Sequence, residues 1–194
     1  MNRFELLYEP MIRRLKQELP DNLFYHGVHH TLDVIEASER LGRSENVADN
    51  ELVLLRTAAL YHDSGFLMGE QNHEEKGCEF ARKELPGAGF SEEEISMVCG
   101  MIMATRYPQH PKSHLEQILC DADLDYLGRP DFFEIGATLY KELIATGRLS
   151  SEREWNRLQV NFLNSHRYFT ATAVSSRDPL KKENLTKVKN LLVA

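Results

Sequence analysis

The sequence predicts an all-α protein, a single-domain helical bundle, on three observations. Apolar residues recur at three- and four-residue spacing through most of the chain. Strand-like alternation is nearly absent, and no internal repeat, low-complexity tract or linker divides the 194 residues. One domain over 1–194 is therefore expected. With 42% hydrophobic and 27% charged residues, the chain can build a packed core.

The elements follow from their punctuation. An amphipathic segment over 4–18 stops before Pro20. A second runs over 29–42, with Gly42 as the expected C-terminal glycine. Asn50 and Glu51 open a third, apolar helix to Tyr61, and a fourth over 73–85 ends before Pro86-Gly87. Ser91 followed by Glu94 forms the pattern of a capping box for a helix over 92–104. Pro108 and Pro111 impose a loop, and further helices are expected over 114–127, 131–146, 151–170 and 179–192.

Composition excludes several classes. No apolar run reaches the roughly 18–20 residues that span a bilayer. The first twenty residues mix charges throughout, without the apolar stretch of a secretion signal. Cys78, Cys99 and Cys120 cannot all pair and form no CxxC, so they read as small buried hydrophobes in a reducing, cytoplasmic setting. The net charge is −7 and uneven: residues 151–194 hold eight Lys/Arg against four Asp/Glu, which leaves −11 on the first 150. An acidic body argues against binding a nucleic-acid polymer, which rests on neutralising phosphates. The basic end reads as a solvated helix face.

The placement of histidines and acids carries the functional signal. At about 100° per residue, Leu52, Leu55, Ala59, His62 and Asp63 share one side of the third helix, so both polar residues continue an apolar stripe inward. On the second, His30 lies with Val34, Ala37 and Leu41, whereas His29 is turned toward the rim. His26 falls on the His30 side if that helix begins early. Near 114–127, Asp123 shares a face with Leu115, Leu119 and Tyr126; Asp121 points elsewhere, to a supporting or surface role. Buried imidazoles and carboxylates must be paired or bound to metal. Two of each, with no thiolate, suit a six-coordinate divalent ion such as Mn²⁺, Fe²⁺, Co²⁺ or Ni²⁺, with Mg²⁺ less comfortable on imidazole.

The ordered segments YHGVHHTLDV (25–34), AALYHDSGF (58–66) and ILCDADLDYLG (118–128) resemble the HD-domain superfamily of metal-dependent phosphohydrolases. The likeness covers a core of about 20–145, with an N-terminal helix and C-terminal helices packed on it, and implies an all-helical fold. It assigns His30, His62, Asp63 and Asp123 as ligands of a divalent metal, with Asp63 also bonded to the attacking water. The segment from Tyr25 to His30 is similar to the YHNxxH of cyclic-nucleotide phosphodiesterases, with Gly27 in place of asparagine. It implies His26 as the acid that protonates the leaving oxygen; a polar rim residue is the other reading.

His73, in HEEKG (73–77), stands where two-metal members carry a further histidine. The later histidine pair of those members is replaced here by Met-Ala-Thr-Arg-Tyr (103–107), so one tightly bound metal is expected. Arg106 is then free to meet a substrate phosphate, a surface arginine near a helix end being the other reading, and His73 is a second candidate proton donor. The stretch 155–173 is similar to a helix that follows the core in some superfamily phosphohydrolases; Arg157, His166 and Arg167 would reach the pocket from it, or else decorate a packed aromatic helix.

The resulting expectation is a metal-dependent phosphohydrolase acting on a phosphomonoester or phosphodiester of a nucleotide-like small molecule. The alternatives are a silent metal- or nucleotide-binding module and a di-iron oxygenase of the same superfamily. No membrane partner is expected, and a homodimer is left open.

Overall fold

The computed structural model describes residues 3–193. Among the described residues it contains nine α-helices, three short 3₁₀ turns and no strand, an all-α architecture. Of the single domain expected over 1–194, residues 1, 2 and 194 lie outside the described residues.

The helices are α1 (Arg3–Glu18), α2 (Val28–Ser44), α3 (Asp49–Tyr61), α4 (His73–Glu84), α5 (Glu92–Ala104), α6 (His114–Asp123), α7 (Phe132–Ala145), α8 (Glu152–Ser165) and α9 (Ala171–Val193). The 3₁₀ turns occupy Ser64–Met68, Leu85–Ala88 and Asp125–Gly128. No helix among the described residues is long and apolar enough to cross a membrane.

Helix α3 is the axis of the bundle. Leu55, Ala58, Ala59, Leu60 and Tyr61 are fully buried, and α3 packs against α1, α2, α4, α5 and α6. So complete a burial explains why its sequence is apolar nearly all round. The predicted capping box is present: Ser91 Oγ accepts from the Glu94 amide while the Ser91 amide donates to Glu94. A second box, Ser113 with Glu116, starts α6.

Four expected boundaries are corrected. Gly42 does not end α2; the helix continues to Ser44, and the left-handed residue beyond it is Asn46 (φ 59°). Gly42 is instead a point of close approach, since a Cβ there would stand 2.6 Å from a methyl of Leu52 in α3. Helix α3 stops at Tyr61 as expected, but His62 and Asp63 follow the helix rather than belong to it. Helix α6 stops at Asp123 and gives way to the 3₁₀ turn Asp125–Gly128. The helix expected over 151–170 ends at Ser165, and the next begins at Ala171 rather than 179.

The cause of the last break lies far away in sequence. Fully buried Asp121 accepts hydrogen bonds from the Phe169 amide (2.8 Å), the Thr170 amide (2.8 Å) and the Thr170 hydroxyl (2.7 Å). Those amides are thereby withdrawn from a continuous helix, and α9 starts afresh. The surface role allowed for Asp121 is excluded by this burial. Pro179 lies inside α9, where it removes one backbone donor without ending a helix held against α8 and the turn at Asp125–Gly128. All three cysteines are free and buried.

Candidate metal centre

Three segments bring their polar side chains together. His30 projects from the first turn of α2, His62 and Asp63 follow the end of α3, and Asp123 closes α6. His30 Nε2 lies 3.1 Å from Asp123 Oδ1, 3.3 Å from His62 Nε2 and 3.4 Å from Asp63 Oδ2. His62 Nε2 lies 3.2 Å from Asp63 Oδ2 and 3.6 Å from Asp123 Oδ1. Around an ion bound at about 2.1 Å, neighbouring ligand atoms stand ~3.0–3.4 Å apart. His30, His62 and Asp123 are thus spaced as ligands of one ion would be and form a group able to hold a metal, while Asp63 joins from the side of the two imidazoles.

Two further observations test that fit. Asp63 Oδ2 is buried and has no hydrogen-bond partner, an expensive state that a cation relieves. His62 Nδ1 donates to the Ala59 carbonyl at 2.8 Å, which turns Nε2 toward the cluster. Burial opposes charge on these groups, but their mutual field prevails. It pushes His62 up to about 9 through Asp63 and Asp123 and holds Asp63 well below the usual carboxylate range through His62. A tightly bound divalent ion of N/O preference fits the donor set; the side chains do not select its identity.

Backbone geometry fixes the approach of the neighbouring groups. The 3₁₀ turn after Asp63 includes Gly65, whose position allows the chain to pass under His73: a Cβ there would sit 1.9 Å from the His73 carbonyl oxygen. Phe66 follows and is sandwiched between two imidazoles, stacking on His26 at 4.5 Å and on His73 at 4.4 Å. The two rings are held 6.4 Å apart. His73 Nε2 reaches to 3.5 Å from Asp63 Oδ1, so Asp63 presents one oxygen to the cluster and the other to His73.

His26 precedes α2 rather than riding on it, but it still faces the pocket. Its Nδ1 is 2.5 Å from Glu142 Oε1, and Glu142 Oε2 also accepts from the amides of Tyr25 (2.9 Å) and His26 (3.1 Å). Burial disfavours the His26 cation, yet the bond to Glu142 and the fields of Asp63 and Asp123 outweigh it and raise the imidazole. Glu142 itself is fully buried. The sequence reading missed it, although a signal existed: Glu142 lies on the same stripe of α7 as Phe132, Ile135, Leu139 and Leu143.

Not every candidate arrives. The Arg106 guanidinium pairs with Glu74 (3.1 Å) and with Glu75, and it faces a separate concavity formed with Pro108, His110 and Lys112. Glu74 in turn approaches His73 at 3.5 Å. The structure therefore places Arg106 behind His73, outside the pocket walls, in place of the phosphate-facing position expected. Arg157 and Arg167 are exposed and do not line the pocket. His166 is buried against Lys181, which donates to its Nδ1 at 3.2 Å and its carbonyl at 3.0 Å. His29 is exposed, as expected.

An all-helical bundle with a His/Asp cluster at the meeting of α2, α3 and α6 defines the class. The chain matches the HD domain over residues 27–125, just over half its length, and it belongs to that family. Its fold is similar to that of a predicted HD superfamily hydrolase from an uncultured Thermotogales bacterium, with a TM-score of 0.61 and 23% identity over 100% of this chain and 98% of that one. Comparison with curated proteins gives no match.

Proposed function

We propose that this protein is a metal-dependent phosphohydrolase of small phosphate esters. The observation that carries the reading is the convergence of His30, His62, Asp63 and Asp123, with Asp63 Oδ2 buried and unpartnered beside two imidazole nitrogens. A divalent ion held by these four side chains lowers the pKa of water and polarises a phosphoryl oxygen. The remaining work falls to the chain. Asp63 Oδ1, turned away from the cluster, is an acceptor for the attacking water. His26, kept protonated by Glu142, donates a proton to the leaving oxygen. His73 faces the same space and is the alternative donor, with Glu74 and Arg106 orienting it.

The family membership supports hydrolysis, and one such cluster among the described residues supports one tightly bound ion. The phosphomonoester or phosphodiester bond and a cytoplasmic setting belong to this reading as proposals. The test is a Mn²⁺-supplemented screen of nucleotides, cyclic nucleotides and simple phosphate esters, run beside Asp63→Ala. Turnover of one class that disappears in the variant is the expected result. Hydrolysis by Asp63→Ala at near the wild-type rate would overturn the mechanism. Stoichiometric metal binding with no turnover across the panel would favour the silent binding module instead.

A further inference from the structure

The pocket that opens onto the cluster has two chemically distinct ends. Asp63, Asp123, His26 and His73 stand at one and Tyr126, Phe132, Leu139, Leu143, Trp155 and Phe162 wall the other, in a pocket of about 370 Å³ in all. At ~30 Å³ per water-sized group, it accommodates about a dozen heavy atoms. None of the described residues that line it is a lysine or arginine.

Several of the polar side chains in those walls already have partners. The Thr105 hydroxyl donates to the Ile102 carbonyl at 2.8 Å, and the Tyr107 hydroxyl pairs with Ser165 Oγ at 2.8 Å. The Gln159 amide donates to Asn156 Oδ1 at 3.2 Å, and the Gln109 amide is turned to the Cys120 carbonyl at 3.5 Å. The Tyr25 and Tyr126 rings pack against each other with centroids 5.7 Å apart. A sugar ring or the edge of a base would bring donors and acceptors into a space with few free partners, and unpaired polar groups resist burial. A second or third phosphate would find no cation to neutralise it.

We infer that the substrate of this site is a phosphate ester of an uncharged, apolar alcohol, aromatic or branched. The phosphate lies at the histidine–aspartate end and the organic group fills the cavity between α7 and α8. This inference rests on the phosphohydrolase reading for the reaction, but not for the fit of the cavity, and it replaces the nucleotide-like group expected from the sequence.

The experiment compares Mn²⁺-loaded protein on 1-naphthyl phosphate, AMP, ATP and ribose 5-phosphate. The expected result is a kcat/KM for 1-naphthyl phosphate at least tenfold above that for AMP, with ATP and ribose 5-phosphate lower still. Leu139→Gln should raise KM for 1-naphthyl phosphate and narrow its advantage over AMP. Equal or better use of AMP or ATP would overturn the inference while leaving the hydrolase intact. Occupancy is read independently of turnover from Trp155, the chain's one tryptophan and part of the cavity wall. Quenching of its emission by 1-naphthylmethylphosphonate, without turnover of any ester, would uphold the apolar site and overturn the hydrolase. Quenching by AMP but not by the phosphonate would overturn the apolar site.

Discussion

Glu142 Oε1 stands 2.5 Å from His26 Nδ1, and its other oxygen accepts from the amides of both Tyr25 and His26. One fully buried carboxylate thus holds the His26 ring and backbone and favours its charged form. The link joins residues 116 and 117 positions apart, so α7 controls a group that precedes α2.

That relationship makes Glu142 a positioning residue with a measurable signature. Glu142→Gln removes the negative charge that sustains the His26 cation, so the His26 pKa falls. Activity that needs protonated His26 should decline at lower pH than in wild type, moving the alkaline limb of the kcat profile down. A drop in kcat of about 10- to 100-fold near neutrality is expected. His26→Ala should lose more on esters with poor leaving groups than on p-nitrophenyl phosphate, whose leaving oxygen needs no proton. An unshifted pH profile in Glu142→Gln would assign the pair to packing alone.

Metal binding should appear as stability. An ion that binds only the folded state, at 100 times its dissociation constant, stabilises by about 2.7 kcal/mol. In a chain of this size that corresponds to a rise in Tm of about 5–10 °C. Scanning calorimetry with Mn²⁺ and after chelation should show this rise in wild type and its loss in His62→Ala and Asp123→Ala. A Tm indifferent to Mn²⁺ in wild type would remove the cluster as an ion site.

Asp121 holds the junction of α8 and α9 through three hydrogen bonds. Asp121→Ala leaves two amides and a hydroxyl without their acceptor in a buried place, a loss of about 3 kcal/mol. Asp121→Asn retains one acceptor oxygen and should be less damaging. Urea denaturation midpoints of the two variants check this order, and equal midpoints would contradict it.

Acid stability should bear the mark of His166. Burial, joined by the charge of Lys181 and opposed by Asp178, depresses its imidazole to about 3, against about 6.5 in an unfolded chain. Between those values the unfolded chain takes up a proton that the folded one refuses. The contribution is therefore complete above about pH 6.5 and is lost as pH falls toward 3. His166→Asn should flatten the fall of Tm across that interval, and an unchanged slope would show that other groups set it.

Gly65 is the position where backbone clearance governs the site. Any side chain there meets the His73 carbonyl, so Gly65→Ala must shift the start of α4 and the His73 ring with it. Lower Tm together with a larger activity loss than in Gly87→Ala, where a Cβ meets nothing within 4 Å, is the expected outcome.

Much of this molecule is written locally. Helix α5 is legible because Ser91 and Glu94 satisfy each other's backbone within one turn. Helix α3 is legible because a run so apolar must be buried. The inward placement of His30 and Asp123 follows from helical periodicity, which puts polar residues on otherwise apolar stripes, whereas His62 and Asp63 turn inward just beyond the end of α3.

Tertiary structure decided the remainder, because the deciding partners are remote in sequence. Asp121 breaks a helix 48 residues onward by taking its amides. Gly42 serves a neighbouring helix instead of its own terminus. Arg106 turns to Glu74 and Glu75, away from the pocket, because α4 packs against α5. Periodicity states which way a side chain points; only packing states what it meets there, and the apolar cavity between α7 and α8 exists solely through that meeting.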